Sequence, residues 1–237
     1  KTIKMNLNLI KSSKVYIIII IISVLSSLYS FEAFLNYKKD ENRSFKLKKE
    51  LLLEKENKVF DERTIEQYFR YLSGKNKNIS VAFYPNYFLR ENSIFQPLSG
   101  VSNSLTIICN ENGYMSTYLS DRFGFNNPDK EWDGDEIEYL IIGDSFAHGA
   151  CVNRPNDIAS NLRNLTGKKI LNLGYGDIGP LFEYAILREY LQKNTKKILW
   201  LYYEGNDQSD LNKELENEFL NNYLLDSNFS QKLIIRQ

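Results

Sequence analysis

The most pronounced hydrophobic segment of the chain lies near its amino terminus. Residues 15–31 carry no charge and include six consecutive isoleucines, and with Glu32 tolerated at the interface the segment reaches Leu35. About 20 apolar residues in a helix are enough to cross the hydrocarbon layer of a membrane. The pattern therefore predicts a transmembrane anchor over residues 15–35, preceded by a basic tail over residues 1–14.

Positive charge is concentrated on one side of this apolar segment. Lys1, Lys4, Lys11 and Lys14 all precede it, and the positive-inside rule places such an end in the cytoplasm. We expect a single-pass protein of a bacterial cytoplasmic membrane, with the remainder of the chain on the extracytoplasmic (periplasmic) side. A cleaved signal peptide is the alternative, although residues 28–30, Leu-Tyr-Ser, lack the small-x-small pattern of a cleavage site.

The next hundred residues change character twice. Residues 36–78 are strongly charged, with apolar positions at helical intervals, and predict a helical stalk. Residues 79–135 contain short β-prone runs separated by turn residues, and predict a small β-rich lead-in. Its expected strands cover residues 81–84, 105–109 and 114–119.

From residue 136 to 237 the pattern alternates between strands and helices. Apolar runs at residues 138–142, 168–173 and 198–203 predict strands, and residues 155–165 and 180–193 predict the helices between them. A further helical stretch is expected over residues 211–225. Strands that alternate with helices form parallel sheets. We therefore predict an α/β domain with about three parallel strands.

A polar motif follows each predicted strand. Ser145 lies in Gly143-Asp144-Ser145, Gly174 follows the second strand, and Asn206-Asp207 follows the third. Because the carboxyl ends of parallel strands meet at one edge of a sheet, these motifs should converge. A serine at a tight turn can attack an acyl carbon, and the backbone N–H groups of Ser145 and Gly174 with the Asn206 amide would stabilise the resulting oxyanion.

These residues resemble the SGNH (GDSL-type) hydrolases and their O-acyltransferase relatives. Gly143-Asp144-Ser145 is similar to the first block of that family, with Ser145 as the implied nucleophile. Gly174 in Asn172-Leu173-Gly174 is similar to the second block, and Asn206-Asp207 to the third, although Glu204 stands where a glycine is expected. The resemblance implies a flavodoxin-like fold with a parallel sheet of about five strands.

The fourth landmark of that family, an Asp-x-x-His pair near the carboxyl end, is not found in this sequence. The chain has one histidine, His148, three residues after Ser145. The helix that follows the nucleophile should carry His148 away from the Ser145 hydroxyl. We expect His148 to line the site or to be structural, with Asp144 and Asp207 as further site-lining residues. The missing landmark indicates either a domain that is incomplete at its carboxyl end or an inactive homologue.

Composition narrows the remaining possibilities. Thirty basic and 30 acidic residues give no net charge, which argues against a nucleic-acid partner, and one histidine excludes multi-histidine metal sites. Gly174, Gly176 and Gly179 match a dinucleotide fingerprint, with Glu204 as a ribose ligand. Nicotinamide cofactors are scarce outside the cytoplasm, and a dinucleotide site would leave Ser145 and Asn206 without a role. We therefore expect neither a cofactor nor a metal.

The two cysteines, Cys109 and Cys151, are able to form a disulfide in an oxidising compartment, but the sequence does not show that they meet.

Together these observations predict a serine-dependent ester hydrolase that acts outside the membrane, on acyl esters of a cell-surface glycan. The glycan preference comes from the family resemblance combined with the membrane anchor. One alternative is transfer of an acyl group to a polysaccharide, which would use the same serine. The other is a non-catalytic protein of the same fold that binds glycan or assists envelope assembly.

Overall fold

The structure is a computed structural model that describes residues 2–56, 60–89, 94–134 and 136–236. It divides into two compact units, one that ends at Phe60 and one that begins at Asp61. The predicted lead-in and the α/β segment therefore belong to the same unit.

The first unit is dominated by one continuous helix, α1, over Thr2–Glu56. Val15–Tyr37 within it is long and apolar enough to cross a membrane, with a mean hydropathy of 2.1 and no buried residue. An anchor and a signal sequence both satisfy this criterion. The helix also covers the predicted basic tail and the first part of the predicted stalk, because no glycine or proline interrupts residues 2–56.

The second unit begins with a short helix and a small sheet. Helix α2, Ile65–Ser73, starts with a capping box in which Thr64 and Gln67 each bond to the other's backbone N–H. In the small sheet, β1 (Ile79–Val81) runs parallel to β2 (Leu105–Ile107), which is antiparallel to β3 (Thr117–Leu119). The first strand both begins and ends earlier than the predicted residues 81–84, and a 3₁₀ turn follows at Pro85–Phe88.

The main sheet contains three parallel strands, as predicted. They are β4 (Ile137–Gly143), β5 (Ile170–Asn172) and β6 (Thr195–Leu201), and their spatial order is β5–β4–β6. Strand β6 begins three residues before its predicted start. The reason is that Lys197, which looks like a loop residue, is part of the strand and pairs with Tyr139 of β4 in the sheet. Its charge is balanced by an ion pair with Glu138 of β4 at 3.0 Å.

Helices cover both faces of β4. Helix α5 (Pro180–Tyr190) packs Phe182 and Ile186 in one cluster with Leu140 and Ile142. On the other face, Ile141 packs with residues of two further helices, α3 (Ser145–His148) and α4 (Ile158–Thr166). Strand β6 is less well covered: within the described residues its Trp200 side chain is 46% exposed.

The predicted helix over residues 211–225 is two helices. Helix α6 covers Asp207–Glu214 and α7 covers Glu218–Leu225. The break occurs because Asn217 caps α7, its Oδ1 accepting a hydrogen bond from the Leu220 N–H at 3.0 Å. A last short helix, α8, covers Leu233–Arg236.

A buried carboxyl group on α5 makes the stability of this unit depend on pH. Glu183 is almost fully buried, and its Oε2 accepts a hydrogen bond from the Trp200 indole N–H. Burial raises the pKa of Glu183 to about 8. The carboxyl is therefore protonated in the folded protein at pH 7 but ionised in the unfolded chain, so the free energy of unfolding falls as pH rises from about 4.5 to about 8.

Glu183→Gln should remove this dependence, since the amide keeps an acceptor for Trp200 and does not ionise. We expect the variant to be more stable than the wild type at pH 7, by on the order of 2 kcal/mol. Urea denaturation of both proteins at about pH 5 and about pH 7.5 measures the difference. A gain that is as large at the acidic pH as at the neutral pH would contradict this origin.

Candidate active site

Ser145 lies where β4 ends and α3 begins. The side chain of Asp144 caps α3, with its Oδ1 accepting a hydrogen bond from the Phe146 N–H at 3.0 Å. Ser145 is the first residue of the helix and is partly exposed. Among the residues that the structure describes, no group hydrogen-bonds to its hydroxyl. The serine hydroxyl is therefore available to a ligand.

A cleft of about 840 Å³ brings several of the predicted residues together. Asp144, Ser145 and Asn206 all line it, and so does Gly176. Its remaining wall comes from residues of the lead-in and of the segment after α3. The predicted convergence of the motifs after β4 and β6 is therefore present in the structure.

The tight turn before Ser145 depends on a glycine. Gly143 has a φ of 150°, and a Cβ at this position would lie 2.8 Å from the Leu201 carbonyl oxygen and 3.0 Å from the Ala147 Cβ. Any side chain would push β4 away from β6 or from α3. The glycine thus allows the strand to pass directly into the turn that presents Ser145.

Gly174 does not take the role predicted for it. Its backbone N–H donates to the Asn172 Oδ1 at 2.9 Å, and it does not line the cleft. A Cβ on Gly174 would overlap the Cβ of Ala147 and would lie 2.8 Å from the backbone nitrogen of His148. The prediction that Gly174 is an oxyanion donor is wrong in this structure: the residue lets α3 pack closely against the end of β5.

Gly176 is better placed to act as the second donor. It lines the cleft together with Ser145, and within the described residues its N–H has no acceptor. The N–H of Ser145 is also without an acceptor there, as expected for the first residue of a helix. The sequence contains both glycines, but only the packing of α3 against Gly174 shows that Gly176 is the one that lines the cleft.

Asn206 is held in place by a polar chain on α6. Its Nδ2 donates to the Asp210 Oδ2 at 2.8 Å, and Lys213 forms an ion pair with the other oxygen of Asp210 at 2.8 Å. Burial acts to raise the pKa of Asp210, but the hydrogen bonds from Lys213 and Asn206 outweigh it and lower the pKa below its usual value. Because an amide carries two N–H groups, one N–H of Asn206 is left for a ligand.

His148 is buried behind the cleft instead of lining it. Its ring stacks on Tyr175 with centroids 4.5 Å apart, and its Nε2 lies 3.2 Å from the Tyr118 hydroxyl. Complete burial lowers the pKa of His148 to about 4. The imidazole is therefore neutral and structural, and it is not positioned as a base for Ser145. Of the two roles expected for His148, the structural one agrees with its burial, and the site-lining one does not.

The two aspartates predicted to line the site differ. Asp144 lines the cleft, and burial, opposed by the hydrogen bond from Phe146, raises the pKa of its carboxyl. Asp207 is fully buried and forms no part of the cleft wall. Its Oδ2 accepts a hydrogen bond from the Tyr203 N–H at 2.6 Å, which fixes the turn after β6. Asp207 therefore supports the position of Asn206 and does not meet a ligand.

The two cysteines form a disulfide, which the sequence left open. Cys109 and Cys151 are joined with their Cα atoms 5.1 Å apart, and both line the cleft. Cys109 lies just after β2, and Cys151 lies in the loop after α3. The bond thus ties the small sheet to the loop that follows the serine.

The glycine-rich segment after β5 does not present a free site for a dinucleotide phosphate. The N-terminus of α5, where a pyrophosphate would bind, is occupied by the Glu214 carboxylate. Its oxygens accept hydrogen bonds from the Gly179 N–H at 2.5 Å and from the Leu181 N–H at 2.9 Å. Among the described residues, no cluster of three potential metal ligands was found either.

Gly174→Ala should destabilise the protein strongly, because its methyl group would overlap Ala147. We expect a loss of about 2–3 kcal/mol in the free energy of unfolding. Gly74→Ala is the matched control, since Gly74 has an ordinary φ of −70° and its Cβ would lie 3.7 Å from the nearest atom. Thermal denaturation compares the two variants, and equal melting temperatures would contradict the packing role of Gly174.

Comparisons of the chain with family models, with curated proteins and with solved structures find no match.

Proposed function

We propose that the chain is a serine-dependent ester hydrolase of the SGNH type. The observation that supports this most directly is the cleft at the end of β4. There Ser145, whose hydroxyl and N–H have no hydrogen-bond partner among the described residues, lines the same cleft as Gly176 and Asn206, which also carry N–H groups without a described acceptor. A nucleophile beside several convergent donors is the arrangement that acyl transfer requires.

In the proposed reaction, the Ser145 oxygen attacks the acyl carbon of an ester. The carbonyl oxygen becomes an oxyanion that accepts hydrogen bonds from Ser145, Gly176 and Asn206. Collapse of the tetrahedral intermediate breaks the bond to the alcohol oxygen, which leaves with a proton, and an acyl-serine remains. Water then attacks the acyl-serine, releasing the carboxylic acid and restoring the serine.

The base that takes the proton from Ser145 must be a group other than His148. His148 is the single histidine of the sequence, and it is buried against Tyr118 and Tyr175. The test of the proposal therefore supplies imidazole as the base.

The order of the strands supports the finer assignment of the fold. The order β5–β4–β6 places the first strand of the sheet between the second and the third. Flavodoxin-like sheets begin with the same 2-1-3 order, and their ligands bind at the switch point beside the first strand. Ser145 follows that strand.

An extracytoplasmic location is part of the proposal. It is supported by the apolar segment Val15–Tyr37 and by the Cys109–Cys151 disulfide, since disulfides persist in oxidising compartments. A glycan-borne ester as substrate is supported by the aromatic side chains of the cleft. Tyr87 is 71% and Phe146 is 57% exposed, and exposed aromatic rings can pack against the apolar faces of sugar rings.

The proposal is tested with the full chain in detergent micelles and p-nitrophenyl acetate as the substrate. We expect a protein-dependent rate that rises with added imidazole, after the rate of imidazole alone is subtracted. A rate that equals the protein-free rate at every imidazole concentration would contradict hydrolysis.

A non-catalytic, glycan-binding protein of this fold is the second candidate, because the one histidine is structural. In that case the full chain would bind acetylated oligosaccharides, and the rate would remain equal to that of the protein-free control. Appearance of acetylated oligosaccharide from an acetyl donor would instead indicate transfer.

A further inference from the structure

A second cavity, separate from the serine cleft, carries a high density of positive charge. It has a volume of about 720 Å³ and shares no lining residue with the cleft. It lies between the 3₁₀ turn Asp129–Trp132, helix α4 and the start of β5. Among the described residues, its charged lining consists of one carboxylate and five cations: Glu131, Lys130, Arg154, Arg163, Lys168 and Lys169. The chain as a whole has no net charge, so this cavity is a local excess.

Arg163 is held by several partners but keeps one donor without an acceptor. Its Nε and Nη2 donate to the Ile170 carbonyl oxygen at 3.0 Å and 2.6 Å, and Nη2 also donates to the Asn127 Oδ1 at 2.7 Å. Its Nε also forms an ion pair with the Glu131 carboxylate at 3.6 Å. Within the part of the chain that the structure describes, its buried Nη1 has no hydrogen-bond partner.

Arg154 shows the same arrangement. Its Nη2 donates to the Leu119 carbonyl oxygen at 2.8 Å, and no acceptor for its buried Nη1 occurs among the described residues. Burial lowers the pKa of both guanidinium groups, and the charge of Asp157 opposes this shift in both. For Arg163, the charge of Glu131 also opposes it and the charge of Arg154 adds to it. An unpartnered buried donor costs free energy, so each guanidinium group would gain from an additional acceptor.

We propose that the Arg154–Arg163 cavity binds an oxyanion of the phosphate class. A phosphate group in the cavity would offset the excess of cations that line it. After a small rotation of the two guanidinium groups, its oxygens would accept hydrogen bonds from the Nη1 atoms, which are buried in the present conformation. Guanidinium groups favour such oxygens because they donate two N–H groups in one plane. Lys130 and Lys168 are exposed side chains that also line the cavity, and their positive charges would attract the phosphate group without fixing its orientation.

The test is the melting temperature of the full chain in detergent micelles, with sodium phosphate or sodium citrate replacing sodium chloride at constant ionic strength. At about tenfold excess over Kd, phosphate should raise the melting temperature by about 3 °C. Citrate should raise it less, because carboxylates carry less charge per group. No rise with phosphate, or a rise with citrate alone, would overturn the proposal.

Variants locate the effect. Arg154→Gln should abolish the phosphate-induced rise. Because Arg154 also bonds to Leu119, a second variant that leaves the core untouched is needed: Lys130→Glu combined with Lys168→Glu should reduce the rise at least by half. Lys193→Glu, at an exposed lysine outside this cavity, is the control for charge change and should leave the rise unchanged. A rise of equal size in all variants would mean that phosphate acts elsewhere, and would overturn the assignment.

Discussion

Ser145→Ala is expected to lower the imidazole-supported, protein-dependent rate of ester hydrolysis at least about 100-fold. The reason is that the variant lacks the oxygen that forms the acyl intermediate, whereas the oxyanion donors remain. Ser145 is partly exposed, and its hydroxyl bonds to no described residue, so the loss of rate should not come from a loss of stability.

The matched control is Ser102→Ala, at an exposed serine in a turn of the lead-in that does not line the cleft. It should hydrolyse the ester at the wild-type rate. Equal rates in the Ser145 and Ser102 variants would show that hydrolysis takes place at another residue. We expect both variants to melt at the wild-type temperature, which would exclude unfolding as the cause of a difference between their hydrolysis rates.

Removal of the disulfide is expected to have the largest effect on stability. Cys109 and Cys151 are 42 residues apart in the sequence, and closing a loop of this size stabilises a protein by about 2–4 kcal/mol. Replacement of both cysteines by serine should lower the free energy of unfolding by this amount. Since both residues line the cleft, the variant should also bind substrate more weakly.

Reduction provides an independent comparison. Dithiothreitol should lower the melting temperature of the wild type and leave the double serine variant unchanged. Alkylation of the unreduced, unfolded wild type should find no free thiol. Two alkylated cysteines without reductant, together with equal stability of the wild type and the variant, would contradict the bond.

The sequence predicted the parallel sheet and the position of Ser145 because both depend on short local patterns. Apolar runs marked β4, β5 and β6, and a polar motif followed each strand. The start of β6 was missed because Lys196 and Lys197 look like loop residues, whereas in the sheet they form ion pairs with the carboxylate of Glu138.

The errors at the site concern choices that depend on packing between distant segments. Gly174 and Gly176 are two residues apart, and only the contact of α3 with Gly174 shows that Gly176, not Gly174, lines the cleft. The burial of His148 depends in the same way on Tyr118 and Tyr175, which lie far from it in the sequence. The closure of the α5 N-terminus by Glu214 is a contact across 35 residues that no local pattern reveals.

The most direct measurement of the central claim is covalent labelling by a fluorophosphonate, which reacts with activated serines. The full chain is incubated with the reagent in the presence of imidazole, digested and analysed by mass spectrometry. The account predicts one adduct, on Ser145, and no adduct in the Ser145→Ala variant. An unlabelled wild-type chain, or an adduct on a different serine, would contradict the assignment of Ser145 as the nucleophile.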